Sequence, residues 1–193
     1  MATLIVTVAL AFVGYLATYL NGLRLAEKQA QLTRVNQQLS ELYGPLFALL
    51  EADSRIFAAY VQKYARPDGR IPIGHATPPT EEELAAWRTW VTTAFIPNIR
   101  AMRDVVVTKA DLLIEDEMPQ VLLDLCAHVS GYEITAARWE QGDHTEHLSV
   151  LPFPGRELGE YVRDRFTRLK SEQARLLGHS VTSRRRGVIG HRR

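Results

Sequence analysis

The 193-residue chain carries a formal net charge of +1, one cysteine (Cys126) and apolar and charged residues in globular proportion. A lone cysteine excludes an internal disulfide and a Cys-rich metal site, and the composition excludes disorder throughout. The near-neutral total hides an asymmetry. Residues 179–193 hold Arg184, Arg185, Arg186, Arg192 and Arg193 and no acid, so this stretch contributes +5 and the rest of the chain −4. An anionic partner is therefore expected for the tail alone.

Residues 2–20, ATLIVTVALAFVGYLATYL, contain no charge. As a helix they would extend roughly 28 Å, close to the roughly 30 Å hydrocarbon core of a bilayer. Tyr15 and Tyr19 fall near the C-terminal end, where amphipathic rings favour the membrane interface. A cleaved signal peptide fits less well, because no basic region precedes the stretch and Ala17-Thr18-Tyr19 is a poor cleavage site. Arg24, Lys28 and Arg34 follow the stretch and no Lys or Arg precedes it. Positive charge stays inside, so the expected topology is single-pass in the inner membrane, N-terminus outside and bulk cytoplasmic. The single cysteine fits that reducing compartment.

From Leu25 the apolar positions run Leu25, Leu32, Val35, Leu39, Leu42, Leu46, Leu49, Ile56 and Tyr60, one face of a helix. Pro45 removes a hydrogen bond and clashes with the preceding turn, so Gly44-Pro45 predicts a kink, either a static bend or a hinge. Residues 66–79, RPDGRIPIGHATPP, cannot be helical. His75 within them lacks companions for a metal site.

Thr80 followed by three glutamates predicts a capping box closed by Glu83. A second stripe follows through Leu84, Trp87, Val91, Phe95, Ile99, Met102, Val106 and Leu113, with Pro97 as its kink or hinge. Trp87, Trp90 and Phe95 could form an aromatic ligand cage, but such spacing reads first as core. Glu115-Asp116-Glu117 reads as a solvated acidic linker. The third helix shows Met118, Leu122, Leu125, Val129, Tyr132, Ala136 and Trp139. Its Asp124 and His128 are candidates for an orienting acid and a catalytic base, against an ordinary surface pair. Residues 141–155 form a polar loop in which His144, His147 and Glu146 are the densest ligand-type cluster, matching no metal signature. The last helix, 154–177, turns Leu158, Val162, Phe166, Leu169, Leu176 and Leu177 inward. A basic tail expected to be disordered follows it.

The chain lacks a phosphate-binding loop, a dinucleotide fingerprint, a nucleophile elbow and a paired-cysteine zinc pattern. The expected fold is all-α: an N-terminal transmembrane helix, then an up-down-up-down bundle of four long, partly Pro-kinked helices. The expected domains are an anchor at 1–23, a cytoplasmic bundle at 24–178 and a tail at 179–193. The corresponding function is a membrane-anchored interaction or scaffold protein without a cofactor, and the alternative is a metal- or His-assisted enzyme tethered to the membrane. Its expected partners are the lipid bilayer, an unidentified protein and a second copy through a coiled-coil seam over residues 25–42. In the alternating topology the five tail arginines return to the anionic leaflet, which places lipid ahead of nucleic acid.

Several short elements, NQQLSELYGPL at 36–46, FIPN at 95–98, the His128/Tyr132-Glu133/Trp139 run, and Phe153-Pro154 followed by Tyr161-Val162, Phe166, Leu169-Lys170, Gln173 and Leu176-Leu177, resemble a family of uncharacterised bacterial single-span membrane proteins. The resemblance spans about residues 24–177. It implies a bacterial source and a membrane-anchored helical body, and it brings no catalytic residues. The topology predicts that a C-terminal alkaline phosphatase fusion, which works only in the periplasm, is inactive in cells; an active fusion would reverse the assigned orientation.

Overall fold

The computed structural model describes residues 2–73 and 78–178, with only the helical backbone given for residues 2–9 and 11. His75 and the five tail arginines lie outside the described residues. Among the described residues the protein is all-helical, with no strand, in four helical stretches separated by irregular connections. The first holds α1 (Ala2–Gln37), a π-helical turn (Gln38–Tyr43) and α2 (Gly44–Tyr64); the second holds α3 (Glu81–Trp90), a second π-helical turn (Val91–Phe95) and α4 (Ile96–Thr108). After a 3₁₀ turn (Ala110–Leu112) come α5 (Gln120–Glu140) and α6 (Gly155–Leu176).

The chain divides into two compact units, one of residues before 38 and from 169 onward, the other of residues 38–168. In the first unit Val35 and Leu169 are buried, and Gln31 and Gln173 donate to Glu172 and Asn36 at 3.0 and 2.7 Å. Every residue from 12 to 31 is exposed, including Phe12, Tyr15, Tyr19, Leu20, Leu23 and Leu25. Among the described residues no helix is long and apolar enough to cross a membrane. The expected span at 2–20 falls in good part on residues whose side chains lie outside the described ones. What is shown there is a helix, not its crossing.

In the second unit α4 packs against both α2 and α5. Its core takes Leu42, Tyr43, Leu46 and Leu50 from the first stretch, Trp87, Val91, Ile99, Met102 and Val106 from the second, Leu122, Leu125 and Val129 from α5 and Leu158 and Val162 from α6. The stripes read from spacing supply most of these. Leu49 and Ile56 are only half-buried while Leu50 is buried. The extra residue of the π-turn shifts the later side chains relative to a 3.6-residue stripe, enough to bring Leu50 in beside Leu46 while Leu46 and Tyr60 stay buried. The second stretch also ends earlier than spacing suggests, at Thr108, and its 3₁₀ turn buries Leu112 in place of Leu113. Thr80 forms the capping box as expected: its hydroxyl accepts from Glu83 N–H, and the Glu83 carboxylate accepts from Thr80 N–H at 2.8 Å.

Both prolines follow a π-turn, so the helices run through Pro45 and Pro97 without a break. A proline offers no N–H and its ring crowds the carbonyl four residues back. Widening the preceding turn realigns these groups, and the Ile96 N–H bonds to the carbonyl of Val91, five residues earlier. Gly44 belongs to the same device, because a Cβ there would run into the Leu39 carbonyl.

The acidic linker is not simply solvated. Glu115 accepts from Arg165 Nε at 2.6 Å and from the Tyr161 hydroxyl at 3.0 Å, and the Tyr43 hydroxyl lies 3.4 Å away. Burial alone would raise this carboxyl, but Arg165 and Tyr161 outweigh it and hold it below the ordinary range. The connection after α4 is thereby tied to the first π-turn and to α6. Alanine in place of a helical glycine normally stabilises a protein. At Gly44 the main-chain collision reverses the sign, so Gly44→Ala should cost about 2 kcal/mol, the order of an overpacked site, and lower the thermal midpoint; a raised midpoint would count against the close approach.

Candidate ligand cleft

The stretch expected as a polar loop over residues 141–155 forms, up to Pro154, an ordered wall. Gly142, at φ +80°, ends α5 in the left-handed conformation that glycine adopts without strain. Asp143 then accepts from the Thr145 N–H and hydroxyl at 3.0 and 2.7 Å. Three ring nitrogens hold the main chain beyond. Trp139 Nε1 donates to the Glu146 carbonyl and Trp87 Nε1 to the His147 carbonyl, each at 2.7 Å, and His128 Nδ1 lies 2.6 Å from the Leu151 carbonyl. A carbonyl oxygen only accepts, so Nδ1 of His128 carries the proton. Gly131 provides the room, since a Cβ there would collide with Ser149 Oγ.

Held in this way, the segment closes one side of a cleft of about 630 Å³. Phe47, Leu50, Phe57, Trp87, Phe95 and Ile99 supply much of its apolar lining, and His128 and Tyr132 of α5 line it together with residues 148–153. Phe57 and Phe95 sit 6.3 Å apart and Trp87 and Phe95 5.8 Å apart, centroid to centroid. The core reading of Trp87 and Phe95 is right as to burial, and the same residues also face a cleft. Around it Phe57, Leu148, Val150 and Leu151 remain exposed, Val150 at 79%.

Glu51, Asp53, His128 and Arg163 bring charge or basicity to the cleft lining. Glu51 and Arg163 pair with each other at 2.6 Å. Asp53 Oδ1 accepts from the Asn98 amide at 3.1 Å, and the same amide donates to the Leu49 carbonyl at 3.0 Å. Burial pushes the Asp53 carboxyl up, and the Asn98 hydrogen bond only partly offsets this. His128 is buried between the rings of Tyr132 and Phe153, at 5.0 and 5.2 Å. Burial lowers its pKa and the Leu151 carbonyl works against that shift, so the ring is neutral near pH 7. Its Nε2 then carries a lone pair and has no hydrogen-bond partner among the described residues.

The residues singled out by sequence fare unequally. Asp124 does not orient His128, because its carboxylate accepts from Gln120 at 2.8 Å while His128 turns to Leu151. The acid–base pair is therefore not formed. His144 and Glu146 are exposed and His147 is half-buried; among the described residues no three His, Cys, Asp or Glu side chains gather to hold a metal. His147 Nδ1 is buried without a partner, a lone nitrogen and not a ligand set. Gly44, Pro45 and Pro97 lie at the π-turns, and Tyr15 and Tyr19 are exposed with rings stacked at 6.4 Å. Leu25 of the expected dimer seam is exposed, while Leu39 and Leu42 are covered within their own unit. Asp53 escaped notice because on the helical stripe it reads only as a polar interruption.

No family model, curated protein or solved structure matches the chain.

His128 makes the wall sensitive to acid. Its folded-state pKa lies below the ordinary 6.5, so the unfolded chain binds the extra proton first. The stabilisation is complete above about pH 6.5 and is lost as pH falls toward the folded value. Lowering pH from 7 to 5 should reduce the thermal midpoint of the wild type more than that of His128→Gln, in which the other groups still titrate; identical pH slopes would exclude His128 as a contributor.

Proposed function

We propose that the chain is a membrane-anchored helical interaction protein whose body, on the cytoplasmic side, receives an apolar ligand or the apolar part of a partner in the cleft roofed by residues 148–153. The observation that carries this reading is the cleft: about 630 Å³, walled by aromatic and aliphatic side chains and bordered by exposed Phe57, Val150 and Leu151. A pocket of that size and lining is a usual receptor for small ligands, and contiguous exposed apolar surface marks a site of interaction. Leaving Val150 at a water-facing rim has no use in core packing.

The anchor rests on residues 2–20, which hold no charge, and on the exposed apolar surface of α1 from Phe12 to Leu25. Apolar side chains exposed all round a helix need another phase or another chain to cover them. The resemblance to bacterial single-span proteins agrees with the bilayer as that phase. Lys and Arg following the stretch support cytoplasmic placement of the body. A second copy pairing through the exposed part of the 25–42 seam and return of the arginine tail to the anionic leaflet belong to the same proposal. The enzyme alternative has less behind it, because Asp124 and His128 are separately engaged and His144, Glu146 and His147 do not converge.

Neutral 2-phenylethanol, small and water-soluble, tests the cleft. With the full chain in phosphatidylcholine nanodiscs, saturation-transfer NMR should show binding, weakened at least tenfold by Phe57→Asp, which places charge on the exposed lip without opening the core; no binding, or binding unaffected by that change, would overturn the cleft as a ligand site.

A further inference from the structure

The cleft is apolar in bulk and one-sided in its polar chemistry. Arg163, the cation in its lining, is paired with the Glu51 carboxylate at 2.6 Å, so the two charges offset each other. Asp53 faces a neutral amide donor, Asn98, through Oδ1, and its Oδ2 has no partner among the described residues. His128 spends its proton on the Leu151 carbonyl, which leaves Nε2 as an acceptor. Asp53 Oδ2 and His128 Nε2 are thus both acceptors, and the first belongs to a carboxylate, beside the hydroxyls of Ser54 and Tyr132, which can donate or accept. Phe47, Phe57, Trp87 and Phe95 add ring faces, whose quadrupole attracts cations.

Resting on the reading of this cleft as a ligand site, we propose that it selects an organic ammonium with an apolar body, the cation at Asp53 and the apolar part against Phe57, Trp87 and Phe95. A carboxylate half-withdrawn from water without a counter-charge is costly, and a bound ammonium supplies that charge where solvent is already thinned. The aromatic walls account for the body and the carboxylate for the head. An uncharged ligand would use the walls, and even a hydroxyl that donates to Asp53 would leave its charge without a countercharge.

Three near-isosteric probes separate these contributions: 2-phenylethylammonium, neutral 2-phenylethanol and anionic 3-phenylpropionate, each titrated at pH 7.5 into the full chain in phosphatidylcholine nanodiscs. The ammonium should bind at least tenfold tighter than the alcohol, and the carboxylate weakest of the three. Asp53→Asn, checked for unchanged helicity and thermal midpoint, should bring the ammonium to the affinity of the alcohol and leave the alcohol unchanged. The ranking in the wild type stands as a test without any variant. Equal binding of ammonium and alcohol, or an ammonium preference that survives Asp53→Asn, would overturn charge selection and leave the apolar cleft in place. Loss of alcohol binding itself would instead remove the cleft as a site, and this proposal with it.

Discussion

The second unit depends on three ring nitrogens that satisfy one run of main chain. Trp139, Trp87 and His128 each donate into the backbone of residues 146–151, at 2.6 to 2.7 Å. Those carbonyls belong to no helix. Lying over a hydrophobic core, they would be costly without partners, at about 1–3 kcal/mol each. Because the donors sit on α3 and α5, the segment cannot lift without exposing apolar surface and breaking those bonds together. Gly131 makes the approach physically available, as its missing Cβ is the space that Ser149 occupies. The cleft exists because this wall is held off the α2 side.

The π-turns serve the same end from within the helices. Each sits ahead of a proline that a regular helix could not accommodate. The wider turn lets the helix continue and rotates the residues after it, turning Leu50 into the core. On that rotated continuation Asp53 and Phe57 reach the cleft. Sequence features that look like defects, Gly44-Pro45 and Pro97, are thus part of what aims the side chains.

Polar groups in this unit are used twice over. Glu115, in a run of acids that reads as a surface linker, draws Arg165 and Tyr161 together and fixes the path between α4 and α5. Glu83 both closes the capping box and receives Arg66 at 2.8 Å, which also donates to the Pro78 carbonyl and so straps the connection from α2 to α3. That double engagement holds the Glu83 carboxyl down at about 2. Asp53, by contrast with Glu115 and Glu83, has a neutral amide as its described donor.

What the sequence determined by itself was the helical periodicity: the stripes through Leu42, Leu46, Trp87, Met102, Leu122, Leu125, Leu158 and Val162 name the core because a 3.6-residue repeat of apolar side chains leaves little choice of inward face. The Thr80–Glu83 cap was legible for a similar reason, since both partners lie within one turn. Only the tertiary structure could decide the cleft. Its walls come from positions as far apart as Phe47 and Phe153, and nothing local says that His128 turns to Leu151 instead of pairing with Asp124. Nor could spacing show that the loop holding His144, Glu146 and His147 is fastened by its main chain. Hydrogen bonds to backbone carbonyls depend on where a segment lies and not on which side chains it carries, so they leave no residue pattern to be read.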